Sequence, residues 1–183
     1  MNLEKLKDIE EEFLFHYPNG FEDEKFFPTM KKFDPSKLEE FAKENFKKEN
    51  FSQPEIICDN FSKIISKSPL ISLFEKPKVR DAIKSMSIYE KDMFCIALDE
   101  LLYGNFKDGF EDIVDILTQK NLAKWSIITL IPYYFSPTKE FFIKPTTTKN
   151  VLKYLEIENL VYKPKPTFEF YNAYKKVLNG MKK

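Results

Sequence analysis

The chain has 183 residues, of which 43% are hydrophobic and 32% charged, and its basic and acidic residues balance to a net charge of zero. This composition excludes a disordered chain and predicts one folded domain that needs neither a metal nor a disulfide to fold. Two cysteines and one histidine are too few ligands for a zinc site or a disulfide framework, so we predict two buried free thiols. Nineteen Phe and nine Tyr against four Gly predict an aromatic-rich core with few tight turns.

The first half of the chain is typical of short helices separated by turn residues. A first helix is predicted after Asn2 as its N-cap, and it ends before the turn residues Tyr17-Pro18-Asn19-Gly20. In the irregular stretch that follows, the predicted anchors onto the core are Phe21, Phe26, Phe27 and Phe33. Further helices or helical turns are predicted to begin at Asp34-Pro35, Ser52, Ser68-Pro69 and Lys76-Pro77.

The second half contains the clearest helix signals. Ser87-Ile88-Tyr89-Glu90 is a capping box that predicts a helix ended by Gly104, which we expect at the centre of the fold. Residues 122–131 are apolar nearly all round, which predicts a buried helix ended by Pro132. Residues 160–165 are predicted to be extended because two prolines disfavour helix in the residues before them. Other helices are predicted to begin at Asp108, Ser136-Pro137, Lys144-Pro145 and Thr167, the last of them ending at Gly180.

Together these elements predict an all-α fold of about eight or nine helices, a single globular domain over residues 1–183 with little or no strand. Residues 157–162 are the one stretch that could form a strand, and Ser136 is the best candidate for a hinge between subdomains. The N-terminus lacks the apolar run of a signal peptide, and the longest apolar stretch, residues 127–135, is too short to cross a membrane. We therefore expect a soluble cytoplasmic protein without membrane contact.

Charge is distributed unevenly along the chain. Residues 81–120 carry four basic and nine acidic side chains, whereas residues 121–183 carry eleven basic and four acidic ones. Either the basic part contacts an anionic partner, or the two regions face each other or water. The predominance of lysine is typical of an AT-rich, bacterial-like genome. Arg80 is the only arginine and so the only side chain that can make a bidentate guanidinium contact. The alternative is that Arg80 forms an ordinary structural ion pair.

The sequence Lys144-Pro145-Thr146-Thr147-Thr148-Lys149 is the most suggestive candidate for a binding site. It places three hydroxyl groups, unbonded amide groups and two ammonium groups at the start of a helix, where a phosphate or carboxylate could bind. The residues that could extend this site along a nucleic-acid backbone are Lys153, Lys163 and Lys165, interleaved with Tyr154 and Tyr162. The alternative is ordinary capping by threonine beside a basic surface.

Other candidate residues have a structural alternative as well. A cluster of acidic residues could hold a magnesium ion, and the alternative is a solvated acidic face. Its members are Asp99, Glu100, Asp108, Glu111, Asp112 and Asp115. His16 could be a general base or a loop histidine, and Trp125 a stacking platform or a core anchor. The chain has no Walker A loop, no dinucleotide-binding glycine motif and no zinc-protease or C-x-x-C motif. We therefore assign no catalytic residue, metal ligand or cofactor.

The sequence does not determine a function, and whether the chain is an enzyme stays open, with the balance towards a non-catalytic role. Our leading hypothesis is a non-catalytic helical binding module that contacts an anionic partner, with nucleic acid as one candidate, through its basic C-terminal third. The alternative is a protein–protein interaction or homo-oligomeric scaffold, assembled by opposite charges and surplus aromatic residues. A metal-dependent enzyme that uses the acidic helix pairs is the third hypothesis.

Overall fold

A computed structural model describes residues 1–32 and 34–182 as ten α-helices and two short 3-10 helices. The α-helices are α1 Leu3–His16, α2 Phe27–Lys32, α3 Ser36–Asn45, α4 Pro54–Lys67, α5 Lys76–Lys84, α6 Ile88–Tyr103, α7 Phe106–Thr118, α8 Trp125–Phe135, α9 Pro145–Tyr154 and α10 Phe168–Met181. The 3-10 helices span Gly20–Glu22 and Lys48–Ser52. Neither described range contains a strand, which confirms the predicted all-α class. Of the predicted anchors onto the core, Phe33 lies outside the described residues. The prediction is wrong for Phe21 and Phe27, which are 66% and 52% exposed and do not join the core.

Side-chain caps begin several helices where the sequence predicts them. The Asn2 side chain accepts a hydrogen bond from the Lys5 amide, which begins α1. Ser87 and Glu90 complete the predicted capping box of α6, with the Glu90 carboxylate 2.7 Å from the Ser87 amide. The Thr167 hydroxyl accepts from the Phe170 amide at the start of α10. These starts are local in origin, because a short polar side chain satisfies an amide that has no partner within the helix.

Two predicted boundaries around the buried helices are wrong. Asn105, not Asp108, caps α7, since its side-chain oxygen accepts from the Lys107 amide at 3.1 Å. The helix predicted over residues 122–131 begins at Trp125 and continues through Pro132 to Phe135. A proline inside a helix removes one backbone hydrogen bond. The burial of most of α8 compensates for that loss, so packing overrides the local signal.

Several smaller boundaries also differ from the prediction. Ser52 ends a 3-10 helix, and α4 begins at Pro54. The residues after Ser68 and after Ser136 form turns in place of the predicted helical turns. Gly180 lies inside α10 and does not end it.

The core is one hydrophobic cluster with α8 inside it. The largest fully buried side chains include Trp125, Tyr134, Tyr171, Phe46, Phe61, Phe94 and Phe110. The predicted aromatic core is therefore confirmed, and each of these rings removes on the order of 150–250 Å² from water. Around α8 lie α3, α4, α6 and α7. In the described part of the chain, no helix combines the length and the apolar character that crossing a bilayer requires.

Helix α6 is less enclosed than its sequence predicts. It makes its most extensive contact with α7 and packs also against α4 and α8. Its opposite side faces solvent, however, and exposes the large apolar residues Ile88, Tyr89, Met93 and Ile96.

Helix α1 lies at the edge of the fold. None of its residues is buried, and its apolar side borders a cleft of about 680 Å³ that ends at Gly180 and Met181 of α10. It is joined to the end of α9 by a hydrogen bond from the Asn2 amide to the Leu155 carbonyl at 2.8 Å. An ion pair between Lys5 and Glu156 adds a second contact.

Candidate anion-binding surface

The start of α9 is exposed and has no side-chain cap. Lys144 precedes the helix in an extended conformation, and Pro145 occupies the first turn. Thr146 and Thr147 are exposed, and within the described residues their amides have no hydrogen-bond partner. Unbonded amides at the positive end of a helix dipole attract anions. The local arrangement therefore matches the predicted helix start, except at one threonine.

Thr148 does not belong to the exposed surface. Its side chain is only 2% exposed, and its hydroxyl is hydrogen-bonded to Tyr174 of α10. Burial raises the pKa of Tyr174, and the hydrogen bond from Thr148 partly offsets this effect. Thr148 is therefore buried and cannot present its hydroxyl to an anion as predicted. The alternative of ordinary capping by a threonine is not observed either, because no side chain caps α9.

Lys149 and Lys153 lie one helical turn apart on α9 and border the same groove. The groove has a volume of about 420 Å³, and Tyr162 and the exposed Val161 line its other side. The Lys149 ammonium lies 5.0 Å from the centre of the Tyr162 ring. A cation–π contact of this kind holds the ammonium at the edge of the groove without neutralising its charge.

Two carboxylates also line this groove. Glu156 is hydrogen-bonded to Asn2 and paired with Lys5, and these contacts lower its pKa. Its charge is therefore largely compensated by α1. Glu158 is exposed and has no ion-pair partner among the described residues, so it reduces the positive potential at one end of the groove.

The extended segment that carries Lys163 and Lys165 is held by the core. The Trp125 indole donates a hydrogen bond to the Lys163 carbonyl at 2.7 Å, and the Trp125 ring is 1% exposed. Trp125 is therefore a core anchor and not an accessible stacking platform. Lys165 borders a different cavity of about 230 Å³, together with Glu111 and Asp115 of α7. The acidic and basic regions of the sequence adjoin each other at this point.

In the part of the chain that the structure describes, the lysines at and near the start of α9 have no carboxylate partner, a property that they share with other exposed lysines such as Lys78 and Lys84. Across the described ranges, ion pairs below 3 Å involve Lys5, Lys48, Lys91, Lys120, Lys124 and Lys175. Among the same residues, no ion pair forms at Lys144, Lys149, Lys153, Lys163 or Lys165. Their charges are accordingly accessible to an external anion. We call Lys144, Thr146, Thr147, Lys149, Lys153 and Lys163 the α9 basic surface.

Arg80 lies outside this surface, on α5. Its Nε is 3.0 Å from Oδ1 of the adjacent Asp81, and both side chains are more than half exposed. An exposed pair of this type contributes little to stability. The structure shows a single contact there, and a bidentate contact with a partner stays a prediction.

The acidic residues do not converge on a metal site. Within residues 1–32 and 34–182, no group of three or more His, Cys, Asp or Glu side chains is arranged to hold a metal ion. Asp108, Asp112 and Asp115 are exposed along α7, in agreement with the alternative of a solvated face. His16 is exposed at the end of α1, where its ring lies edge-on to Phe15.

The sequence did not predict the apolar surfaces that the structure exposes. One is a cavity of about 630 Å³ lined by aromatic and aliphatic side chains, including Phe21, Phe26, Phe27, Met30 and Pro35. The other is the outward side of α6. The sequence does carry a signal for both surfaces, because the two segments that form them contain more apolar residues than one buried helix face needs.

Comparison of the chain with protein-family models, with curated proteins and with solved structures finds no match. A function can therefore be proposed only from the residues and their arrangement.

Proposed function

We propose that the chain is a non-catalytic helical module that binds an anionic polymer, with nucleic acid as the first candidate, through the α9 basic surface. The observation that carries the proposal is the placement of Lys149 and Lys153 on one groove beside the uncapped start of α9. Each of these features is a common way to bind phosphate, and here they are adjacent.

The charge balance supports a local contact. The isoelectric point of the whole chain is about 6.6, so the protein has no large excess of positive charge to attract nucleic acid from a distance. Attraction must come from the α9 basic surface itself. The one arginine of the chain lies on α5, so this surface has no guanidinium group to read guanine in a bidentate contact. We therefore expect binding to phosphate groups with little dependence on base sequence.

The test is a fluorescence-polarisation titration with labelled single- and double-stranded DNA and RNA at two salt concentrations. If Lys144, Lys149, Lys153 and Lys163 each neutralise one phosphate of a single strand, the logarithmic salt slope is about −2.8. Binding then weakens roughly 50-fold between about 50 mM and about 200 mM salt. The double variant Lys144→Glu/Lys149→Glu should abolish binding, or leave a slope no steeper than about −1.4.

A matched control changes the same number of charges on another helix. Lys78 and Lys84 are exposed on α5, and Lys78→Glu/Lys84→Glu lowers the net charge by the same amount. Equal loss of binding in both double variants would mean that overall charge, and not the α9 basic surface, is responsible. No binding at low salt would overturn the proposal.

A second candidate function is self-association of a scaffold protein. It is supported by the exposed acidic residues Asp108, Asp112 and Asp115 on α7, which carry the charge that the α9 basic surface of a second copy would attract. Sedimentation velocity over a wide concentration range distinguishes the two candidates. A monomer at all concentrations argues against self-association, and a salt-sensitive oligomer without nucleic-acid binding supports it.

A further inference from the structure

The outward side of α6 is apolar where a surface helix is normally polar. Tyr89, Met93 and Ile96 recur at the spacing of one helix face and are 71%, 39% and 61% exposed. The opposite face of the same helix is buried in the core through residues such as Phe94 and Leu98. A surface helix normally presents polar side chains along its outward face, whereas three large apolar side chains lie there in α6. The exposed face of α6 therefore has the composition of a surface that a partner covers.

Helix α7 extends this apolar face. A Cβ at Gly109 would lie 2.2 Å from the Leu101 backbone nitrogen, so the two helices approach as closely as only glycine permits. Two helical turns after Gly109, Ile116 of α7 lies with Tyr89 and Met93 of α6 around a small groove of about 180 Å³. Glu90, which pairs with Lys120, and Gln119 complete the lining, so the groove between the two helices has apolar and polar walls.

Carboxylates flank the groove. Asp92 and Glu100 lie on the same outward side of α6 as Ile96, at spacings of four residues before and after it. Asp112 lies on the side of α7 that faces α6, between Gly109 and Ile116. Among the described residues, no ammonium or guanidinium group pairs with Asp92, Glu100 or Asp112. The Glu100 carboxylate accepts a hydrogen bond from the Asn105 amide at 2.6 Å but keeps its negative charge. We call Tyr89, Asp92, Met93, Ile96, Glu100, Asp112 and Ile116 the α6/α7 outer face.

We infer that the α6/α7 outer face is a docking site for an amphipathic helix of a partner protein, with an apolar stripe flanked by Lys or Arg. The apolar stripe supplies the buried contact, and the unpaired carboxylates select basic flanking residues. From Tyr89 to Glu100 the face is about 16 Å long, which matches about three turns of a docked helix. The negative charge here excludes nucleic acid, so this surface is separate from the α9 basic surface and does not depend on the function proposed for it.

The experiment uses the full-length protein and a labelled Leu/Lys peptide of about fourteen residues, in which leucine recurs at helical spacing. Two comparison peptides are a scrambled version of the same composition and a Leu/Glu version of the same pattern. Binding is followed by fluorescence anisotropy, and the site is mapped by amide shifts in two-dimensional NMR. We expect binding of the Leu/Lys peptide alone, with shifts centred on α6 and α7.

Two variants test the contact itself. Ile96→Ser removes an exposed side chain, so the fold is retained, and binding should weaken by at least about tenfold. Asp92→Lys/Asp112→Lys should weaken binding of the Leu/Lys peptide and strengthen that of the Leu/Glu peptide. Leu73→Ser is the matched control, because Leu73 is 79% exposed but lies in the turn between α4 and α5.

Several outcomes would overturn the inference. No binding of the Leu/Lys peptide would do so, and so would equal binding of the scrambled peptide, which would show general charge attraction. Amide shifts on α6 and α7 that depend on protein concentration without peptide would identify a second copy of this chain as the occupant. Equal weakening by Ile96→Ser and Leu73→Ser would show that the contact does not involve this face.

Discussion

Replacing Gly109 by alanine should destabilise the protein, although alanine is the better helix former. Gly109 lies inside α7, where alanine is intrinsically favoured by about 1 kcal/mol. The added Cβ, however, would meet the Leu101 nitrogen at 2.2 Å and the Leu101 Cα at 2.5 Å. These are backbone atoms and cannot rotate away, so α6 and α7 must separate along their most extensive contact. We expect a net loss of about 1–3 kcal/mol.

The assay is thermal and urea unfolding of the variant beside a second glycine substitution. A loss of 1 kcal/mol lowers Tm by roughly 2–4 °C in a chain of this length. Gly180→Ala is the control, because Gly180 is also helical and its Cβ would meet only the end of the Met1 side chain at 3.9 Å. That variant should be neutral or stabilised by up to about 1 kcal/mol. An increase in Tm for both variants would refute the close approach of α6 and α7.

Two further predictions concern ionisable groups. The contact with Lys120 is the largest, and the hydrogen bond from the Ser87 amide the next, of the causes that lower the pKa of Glu90 to about 2. Because the folded pKa is lowered, the stabilisation is present above about pH 4.5 and disappears as the pH falls towards 2. Urea unfolding should therefore show Glu90→Gln to be less stable at neutral pH and equal to the unsubstituted protein near pH 2, and a difference that persists in acid would contradict this assignment. Burial raises the pKa of Cys58 to about 12 and that of Cys95 to about 11, so a thiol reagent at about pH 8 should label both only as the protein unfolds, whereas rapid labelling of the folded chain would contradict their burial.

The two proposed surfaces differ in chemistry and have independent tests. The α9 basic surface presents ammonium groups and unbonded amides, whereas the α6/α7 outer face presents apolar side chains with carboxylates. Lys165, near Glu111 and Asp115, marks where the basic and acidic regions adjoin. A module with both surfaces could join an anionic polymer to a protein partner. Loss of nucleic-acid binding in Lys144→Glu/Lys149→Glu should leave peptide binding unchanged, which can be measured on the same samples.

Local sequence signals predicted the helix starts that depend on neighbouring atoms. Asn2, Ser87 and Thr167 each accept a hydrogen bond from the amide three residues later, so the cap and the helix start lie in one short segment of the sequence. Pro145 similarly begins α9 as predicted. The all-α class follows from such signals together with the apolar periodicity. The single-domain organisation with a hinge near Ser136 and the cytoplasmic location stay predictions.

The candidate site was predictable only in part. The threonine and lysine cluster at the start of α9 is visible in the sequence, but nothing local distinguishes Thr148 from its two neighbours. Thr148 is buried, and Tyr174 of α10, a residue far away in the sequence, provides its hydrogen-bond partner. Likewise, the sequence does not show that Lys165 borders a different cavity from Lys149 and Lys153, or that Trp125 holds the extended segment at Lys163.

The sequence by itself determined the helical class, most capped helix starts, the aromatic-rich core and the presence of a basic C-terminal third. These properties depend on composition and on interactions across a few residues. Only the tertiary structure decided that α8 continues through Pro132, that α6 keeps one apolar face in solvent, and which lysines share a groove. Those outcomes depend on contacts between residues far apart in the chain, where the free energy of burial exceeds the local preferences of the backbone.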